Sequence, residues 1–134
     1  MSDVRLVELP RHESDGGELV VIEEGRALPF AALRMFTVRA PAGALRGKHA
    51  HKLCAQFLVC VHGSIEVECD DGEHKATFTL DSGHAGLFVP PGVWASERYL
   101  VAGSVLSVLC DRRYEVDDYL RDYAKFLVWR KTDE

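Results

Sequence analysis

Short runs of β-branched and aromatic residues recur along this chain, each closed off by a turn signal: ELVVIEE, LRMFTVRA, AQFLVCV, SIEVECD, KATFTL, GLFVP and SVLSVLC. Val, Ile, Phe and Thr suit a pleated, half-buried surface, and APAG, HG, DDGE, DSG and PPG break the chain between the runs. No helix-length segment separates them. That spacing points to an antiparallel sandwich or barrel, an all-β fold, rather than to alternating strands and helices. In SIEVECD, Ile65, Val67 and Cys69 alternate with Glu66, Glu68 and Asp70, so one face is expected to be buried and the other wet. DDGE after it reads as a hairpin turn. The tail breaks the pattern. Val116, Leu120, Tyr123, Phe126 and Leu127 fall at helical spacing, with Asp117 and Asp118 where a helix dipole favours acid. One C-terminal helix beside the β-core is expected.

The 134 residues have the length of a single domain, spanning 1–134, with enough chain for its own core. A net charge of -5 argues against broad binding to nucleic acid or to an acidic membrane. No apolar run approaches a membrane span, and MSDVRLVELPR lacks the hydrophobic segment of a signal peptide, so a cytoplasmic protein is expected. Cys54, Cys60, Cys69 and Cys110 show no CxxC spacing. They are expected to be thiols, with Cys60 and Cys110 acting as small core residues. Exposed edge strands invite a homodimer.

RGKHAHK carries the most chemistry. Side chains two apart on a strand share a face, so His49 and His51 point together if this segment is extended, with Lys48, Ala50 and Lys52 directed outward. Paired imidazoles on one face have three uses: polar residues satisfied on a strand, half of a metal site, or an acid–base pair. Gly47 before them, Gln56 after them and Gly63 beyond resemble the first cupin motif, whose HxH and later Glu bind metal within a jelly roll. Here a neutral amide stands at the Glu position. The second cupin motif, PxGxxH, reads Pro90-Pro91-Gly92-Val93-Trp94-Ala95, with Ala95 at the ligand position. His62, His74 and His84 each sit by a turn signal and are expected at the surface. No metal and no cofactor are therefore expected. A histidine that ionises near neutral pH suits proton transfer, and a second imidazole lowers the first one's proton affinity and keeps it a neutral base.

The wider sequence resembles the cupin-type sugar nucleotide 3,4-ketoisomerases that act on dTDP-4-keto-6-deoxyglucose. ELVVIEEGRALPFAALRMFTV is similar to the family's opening, RGKHAHK to its most recognisable segment, and QFLVCVHGSIEVECDDG continues it. GLFVPPGVW and YEVDDYLRDYAKF are similar to the later strand and the closing helix. The resemblance implies a metal-independent jelly-roll β-sandwich, usually dimeric. It also implies a reaction that moves a ketone from C4 to C3 of a dTDP-linked keto-deoxysugar through an enediol. It makes His49 the candidate base, with His51 orienting it or handling the oxygen proton. Arg46 is the candidate for the diphosphate, a role that Arg39 or Arg34 would also fit. Trp94 is placed against the nucleotide or sugar, or in the core. Gln56 is expected to face the barrel interior.

Thr37 stands where many relatives carry Tyr, Ala95 where they commonly carry His, and Gly16-Gly17 where the opening often has Arg-Gly. Each departure removes a group able to donate a proton or to bind phosphate. Tyr99, Glu97 and Arg98 are the candidates to replace a lost donor. Two alternatives stay open at this point. One is an epimerase or isomerase acting on another nucleotide-linked keto sugar; the other is a non-catalytic cupin that binds a sugar nucleotide.

Overall fold

The structure, a computed structural model, describes residues 3–81 and 84–132. Twelve strands lie in these residues: β1 Arg5–Glu8, β2 Arg11–Ser14, β3 Gly17–Val20, β4 Arg34–Arg39, β5 Leu45–His51, β6 Gln56–His62, β7 Ser64–Asp70, β8 Lys75–Asp81, β9 Ala85–Val89, β10 Trp94–Tyr99, β11 Val105–Cys110 and β12 Tyr119–Leu120. One sheet runs β1-β9-β6-β11-β4, the facing sheet runs β12-β5-β10-β7-β8, and β2-β3 forms a separate hairpin. Every ladder is antiparallel. Two five-stranded sheets facing each other give the expected jelly-roll sandwich.

The uninterrupted apolar run in β6 has a direct cause: its sheet is buried on both faces. Leu58 and Cys60 point between the sheets, packing with Ile65, Val67, Leu87, Leu106 and Val108. Phe57 and Val59 point the other way, under Leu9, Leu28, Ile22 and Phe30 of the N-terminal segment. β7 belongs to a sheet with one wet face, and Ile65, Val67 and Cys69 are fully buried as read. Asp70, expected on the wet face, is buried too, where it accepts from the Tyr123 hydroxyl of the covering helix. The DDGE turn joins β7 to β8 and is held by its own aspartates. Asp70 accepts from the Gly72 N–H at 2.7 Å, and Asp71 accepts from Glu73 and His74 at 2.9 and 2.8 Å. Ser82 and Gly83 of the expected DSG turn lie outside the described residues. All four cysteines are buried thiols.

The tail departs from expectation. Residues Val116–Asp118 form a 3₁₀ turn, Tyr119–Leu120 pair with His51 and Ala50 as β12, and the helix α1 spans only Tyr123–Thr132. Tyr119 and Arg121 alternate around Leu120, which is a strand-like period. Pairing with β5 outweighs the helical spacing of the apolar residues here. Phe126 of α1 is fully buried and lies beside Trp94, whose ring centroid is 5.6 Å away.

Candidate active site

A cavity of about 190 Å³ opens between the sheets, and both histidines stand on its wall. A one-residue bulge brings Arg46 to the same face. Across the β5–β10 ladder Arg46 pairs with Glu97, Gly47 with Ser96 and His49 with Ala95, which leaves Lys48 unpaired. Without that extra residue, Arg46 and His49 would point to opposite faces, because strand side chains alternate. Gly47 and Lys48 take positive φ values of 82° and 57° to make the bulge. Ala50 points away from the cavity as expected but is fully buried, whereas Lys48 is exposed.

Gly47 is needed for a second reason. A Cβ there would lie 2.6 and 3.0 Å from the two carboxyl oxygens of Glu97 and 3.1 Å from the Ala95 carbonyl oxygen. We expect Gly47→Ala to cost about 2 kcal/mol, mostly from left-handed backbone strain. The Glu97 carboxyl can swing aside, so activity should fall further than stability alone accounts for. Urea denaturation beside a turnover assay tests this, and an unchanged midpoint would contradict the bulge argument.

The imidazoles meet edge to face, with ring centroids 5.1 Å apart at 86°. His51 donates from Nδ1 to Asp118 Oδ2 at 2.9 Å, and Asp118 Oδ1 accepts the Leu53 backbone N–H. With its Nδ1 proton committed to a carboxylate, His51 carries its lone pair on Nε2, which is buried without a partner among the described residues. His49 Nδ1 is likewise buried and unpartnered. Burial, assisted by the neighbouring His51, pushes His49 down to about 4, and burial lowers His51 despite the pull of Asp118. Both rings are therefore neutral at physiological pH. Tyr119 packs on His51 at 4.3 Å between centroids, and Arg121 lies over the Tyr119 ring at 4.4 Å, so an arginine reaches the cavity from the tail.

Glu97 also lines the cavity, on the strand opposite Arg46. Burial pushes its carboxyl up to about 7, against the attraction of Arg46. Gln56 faces inward as expected and donates to Cys110 Sγ at 3.5 Å, as does Arg34. Cys54 lies against this thiol; hydrogen bonds from its neighbours draw Cys110 down, and Cys54 is pushed up.

Arg34 sits beside the cavity, between the rings of Phe36 and Tyr114, rather than on the cavity wall. Three other expected site residues do not reach the cavity. Along β4, Phe36 and Val38 point inward, so Thr37 and Arg39 point out. Thr37 shares a 3.4 Å hydroxyl contact with Ser107 on the outer face. Trp94 faces the helix, edge-on to Tyr123 at 5.3 Å, so of its two expected places it takes the packing one. Among the replacement donors, Arg98 is exposed and donates to the Gly43 carbonyl, while Tyr99 is fully buried with its hydroxyl unpartnered. His62, His74 and His84 are exposed.

The two cupin ligand positions other than the histidines hold Gln56 and Ala95, both on the cavity wall. An amide and a methyl group make a poor metal set beside two imidazoles. His51, Cys54 and Asp118 do bring three donor atoms within 4.8 Å of one another. Both oxygens of that aspartate are already engaged by His51 and Leu53, and the Cys54 thiol holds its proton.

Residues 2–131 match the family described as FdtA, WxcM-like, C-terminal. The chain belongs to this family. It is 40% identical over 111 residues to the TDP-4-oxo-6-deoxy-alpha-D-glucose-3,4-oxoisomerase of Aneurinibacillus thermoaerophilus, covering 82% of this chain and 80% of that one. In three dimensions it resembles QdtA, a sugar 3,4-ketoisomerase from Thermoanaerobacterium thermosaccharolyticum solved with TDP, with a TM-score of 0.93 at 27% identity. That likeness covers 99% of this chain and 98% of QdtA. A histidine-to-asparagine variant of QdtA has been seen with TDP-4-keto-6-deoxyglucose. A 3,4-ketoisomerase from Helicobacter canadensis gives a TM-score of 0.91 at 28% identity, covering 96% of this chain and 98% of that one. Within the family fold, the residues that sequence reasoning missed are Asp118, Tyr119 and Arg121, and all three come from the FdtA-like tail.

Proposed function

We propose that this protein is a 3,4-ketoisomerase that moves the ketone of a TDP-linked 4-keto-6-deoxyhexose from C4 to C3 without a metal. The observation that carries the reading is the pair of neutral imidazoles, His51 buried and His49 half-buried, on the wall of a cavity between the sheets, in a chain 40% identical to a 3,4-oxoisomerase. His49 takes the C3 proton and returns it at C4. Its proton affinity is low, and an arriving diphosphate would raise it by stabilising the imidazolium. His51, anchored by Asp118, holds His49 edge-on and neutral. Arg46 and Arg121 both line the cavity, which supports a diphosphate held by two guanidinium groups.

The non-catalytic alternative drew on Thr37 and Ala95. Thr37 lies outside the cavity, so only Ala95 removes a polar group from the wall. Among the described residues no helix is long and apolar enough to cross a membrane, and we place the protein in the cytoplasm. A homodimer is supported by the edge strand β4, where Met35 is 63% exposed and Leu33, just before the strand, is 59% exposed. Light scattering of the pure protein reads that state directly.

Incubation with TDP-4-keto-6-deoxyglucose in deuterated water, followed by NMR, tests the activity. The expected result is a 3-keto sugar, formed at the same rate with and without a chelator. Unchanged substrate, or activity abolished by chelation and restored by metal, would refute the proposal.

A further inference from the structure

Moving a ketone along a carbon chain requires two kinds of proton transfer. A proton leaves C3 and another arrives at C4, while the C4 oxygen gains a proton and the C3 oxygen loses one. His49 accounts for the carbon-bound protons. His51 has its Nδ1 proton held by Asp118 and so has no proton to give, and the Tyr99 hydroxyl is sealed in the core. The Tyr119 hydroxyl, although its ring packs on both imidazoles at the cavity wall, is engaged by the Arg34 guanidinium. That leaves the oxygen protons unassigned.

Glu97 is the cavity-lining carboxyl group. Its strand position is two residues from Ala95, the register partner of His49 on the neighbouring strand, and rise and strand spacing together set Glu97 and His49 about 8 Å apart on the same face. The carboxyl rests over Gly47, two residues before His49, in space that exists only because residue 47 lacks a side chain. No hydrogen bond or ion pair within the described residues ties it down. A surface carboxylate would be solvated, and a structural buried one would be paired; Glu97 is neither.

We propose that Glu97 is the group that moves the oxygen protons, donating to the C4 ketone oxygen and then accepting from the C3 hydroxyl. The inference rests on the ketoisomerase reading and deepens it. In the first half, the C3–H bond breaks, its proton passes to His49, and its electron pair forms the C3–C4 double bond. The displaced carbonyl pair takes the Glu97 proton, leaving an enediol, an imidazolium and a carboxylate. In the second half the C3 hydroxyl gives its proton to the carboxylate and becomes the ketone. The double-bond pair takes the His49 proton at C4. Both side chains finish as they began, and no oxidant or cofactor is consumed. One carboxyl suits the task, because its two oxygens can address the two neighbouring oxygens of an enediol.

The surroundings support a protonated start. Arg46 faces the carboxyl from β5, Tyr99 from its own strand and Cys69 from β7, while the opposite sheet gives the cavity the uncharged Val38, Leu106 and Val108. Burial outweighs the single cation and holds the group up to about 7. The active form carries the proton, so kcat/KM is expected to fall as pH rises through about 7.

Glu97→Gln tests this. The expected result is a loss of about 100-fold in kcat with KM nearly unchanged, disappearance of the basic limb, and deuterium exchange at C3 that outruns ketone transfer. Glu97→Asp should restore part of the rate and keep a basic limb. Wild-type kcat in Glu97→Gln, or a basic limb that survives in it, would overturn the assignment. If Glu97→Gln does not fold, the wild-type profile decides, since a flat kcat/KM from about pH 6 to 9 excludes a titrating acid here. Failure of the wild type to turn over refutes the ketoisomerase reading and this one with it; normal wild-type turnover with an indifferent Glu97→Gln refutes this one alone.

Discussion

His49→Asn is expected to lower kcat by about 10³-fold, equivalent to roughly 4 kcal/mol of transition-state stabilisation, while TDP binding persists. The argument is local. Asparagine keeps the hydrogen-bonding character and most of the bulk of the ring, so the cavity and the diphosphate contacts survive. It has no lone pair basic enough to accept a proton from carbon. The pH dependence gives a second reading of the same residue. Burial and His51 push His49 down to about 4, so the neutral base is present at every pH above that. The acid limb of kcat/KM, which reports the free enzyme, should therefore sit well below the ordinary histidine value of about 6.5. Rapid-quench turnover beside calorimetric titration with TDP separates binding from chemistry. A variant that retains the wild-type rate would remove His49 from the mechanism, and one that also loses TDP affinity would recast it as a binding residue.

Much of the fold was legible because the sandwich imposes simple patterns. β7 alternates because one of its faces is wet, and β6 is continuously apolar because both faces of its sheet are covered. β5 and β10 were harder, since their inward residues are the polar ones that make the site: Arg46, His49 and His51 on one, Glu97 on the other. A strand that builds an active site loses the hydrophobic period that would announce it. The bulge at Gly47–Lys48 was invisible for a related reason. Strict alternation from His49 puts Arg46 on the wrong face, and only the register with β10 shows the extra residue. Thr37 illustrates the reverse error: motif alignment made it a site position, while alternation along β4 sends it outward. Asp118 was seen as a helix-start acid because its partner lies 67 residues away and nothing local reveals it.

Asp118 carries the second large expected effect, and its two substitutions should fail in different ways. Asp118→Ala strips acceptors from the His51 Nδ1–H, which is buried, and from the Leu53 N–H, which is part-buried, at once. Leaving one buried and one part-buried donor unpaired costs about 2 kcal/mol, a large part of the stability of a small domain, and should lower Tm by roughly 8 °C. Asp118→Asn is the more informative change. Its amide oxygen can still accept from Leu53, which directs the NH2 group at His51 Nδ1. That nitrogen can then only accept, so the ring proton moves to Nε2, and an N–H replaces the lone pair that His51 now holds buried at Nε2. The fold should persist with a loss of about 1 kcal/mol, and kcat should fall about 100-fold with little change in KM. Imidazole 15N shifts read the tautomer directly, independent of turnover. If Asp118→Asn left the His51 proton on Nδ1 and the rate intact, the carboxylate would be a structural anchor for the Leu53 turn. A tautomer switch with full activity would instead show that His51 serves only as a neutral wall beside the base.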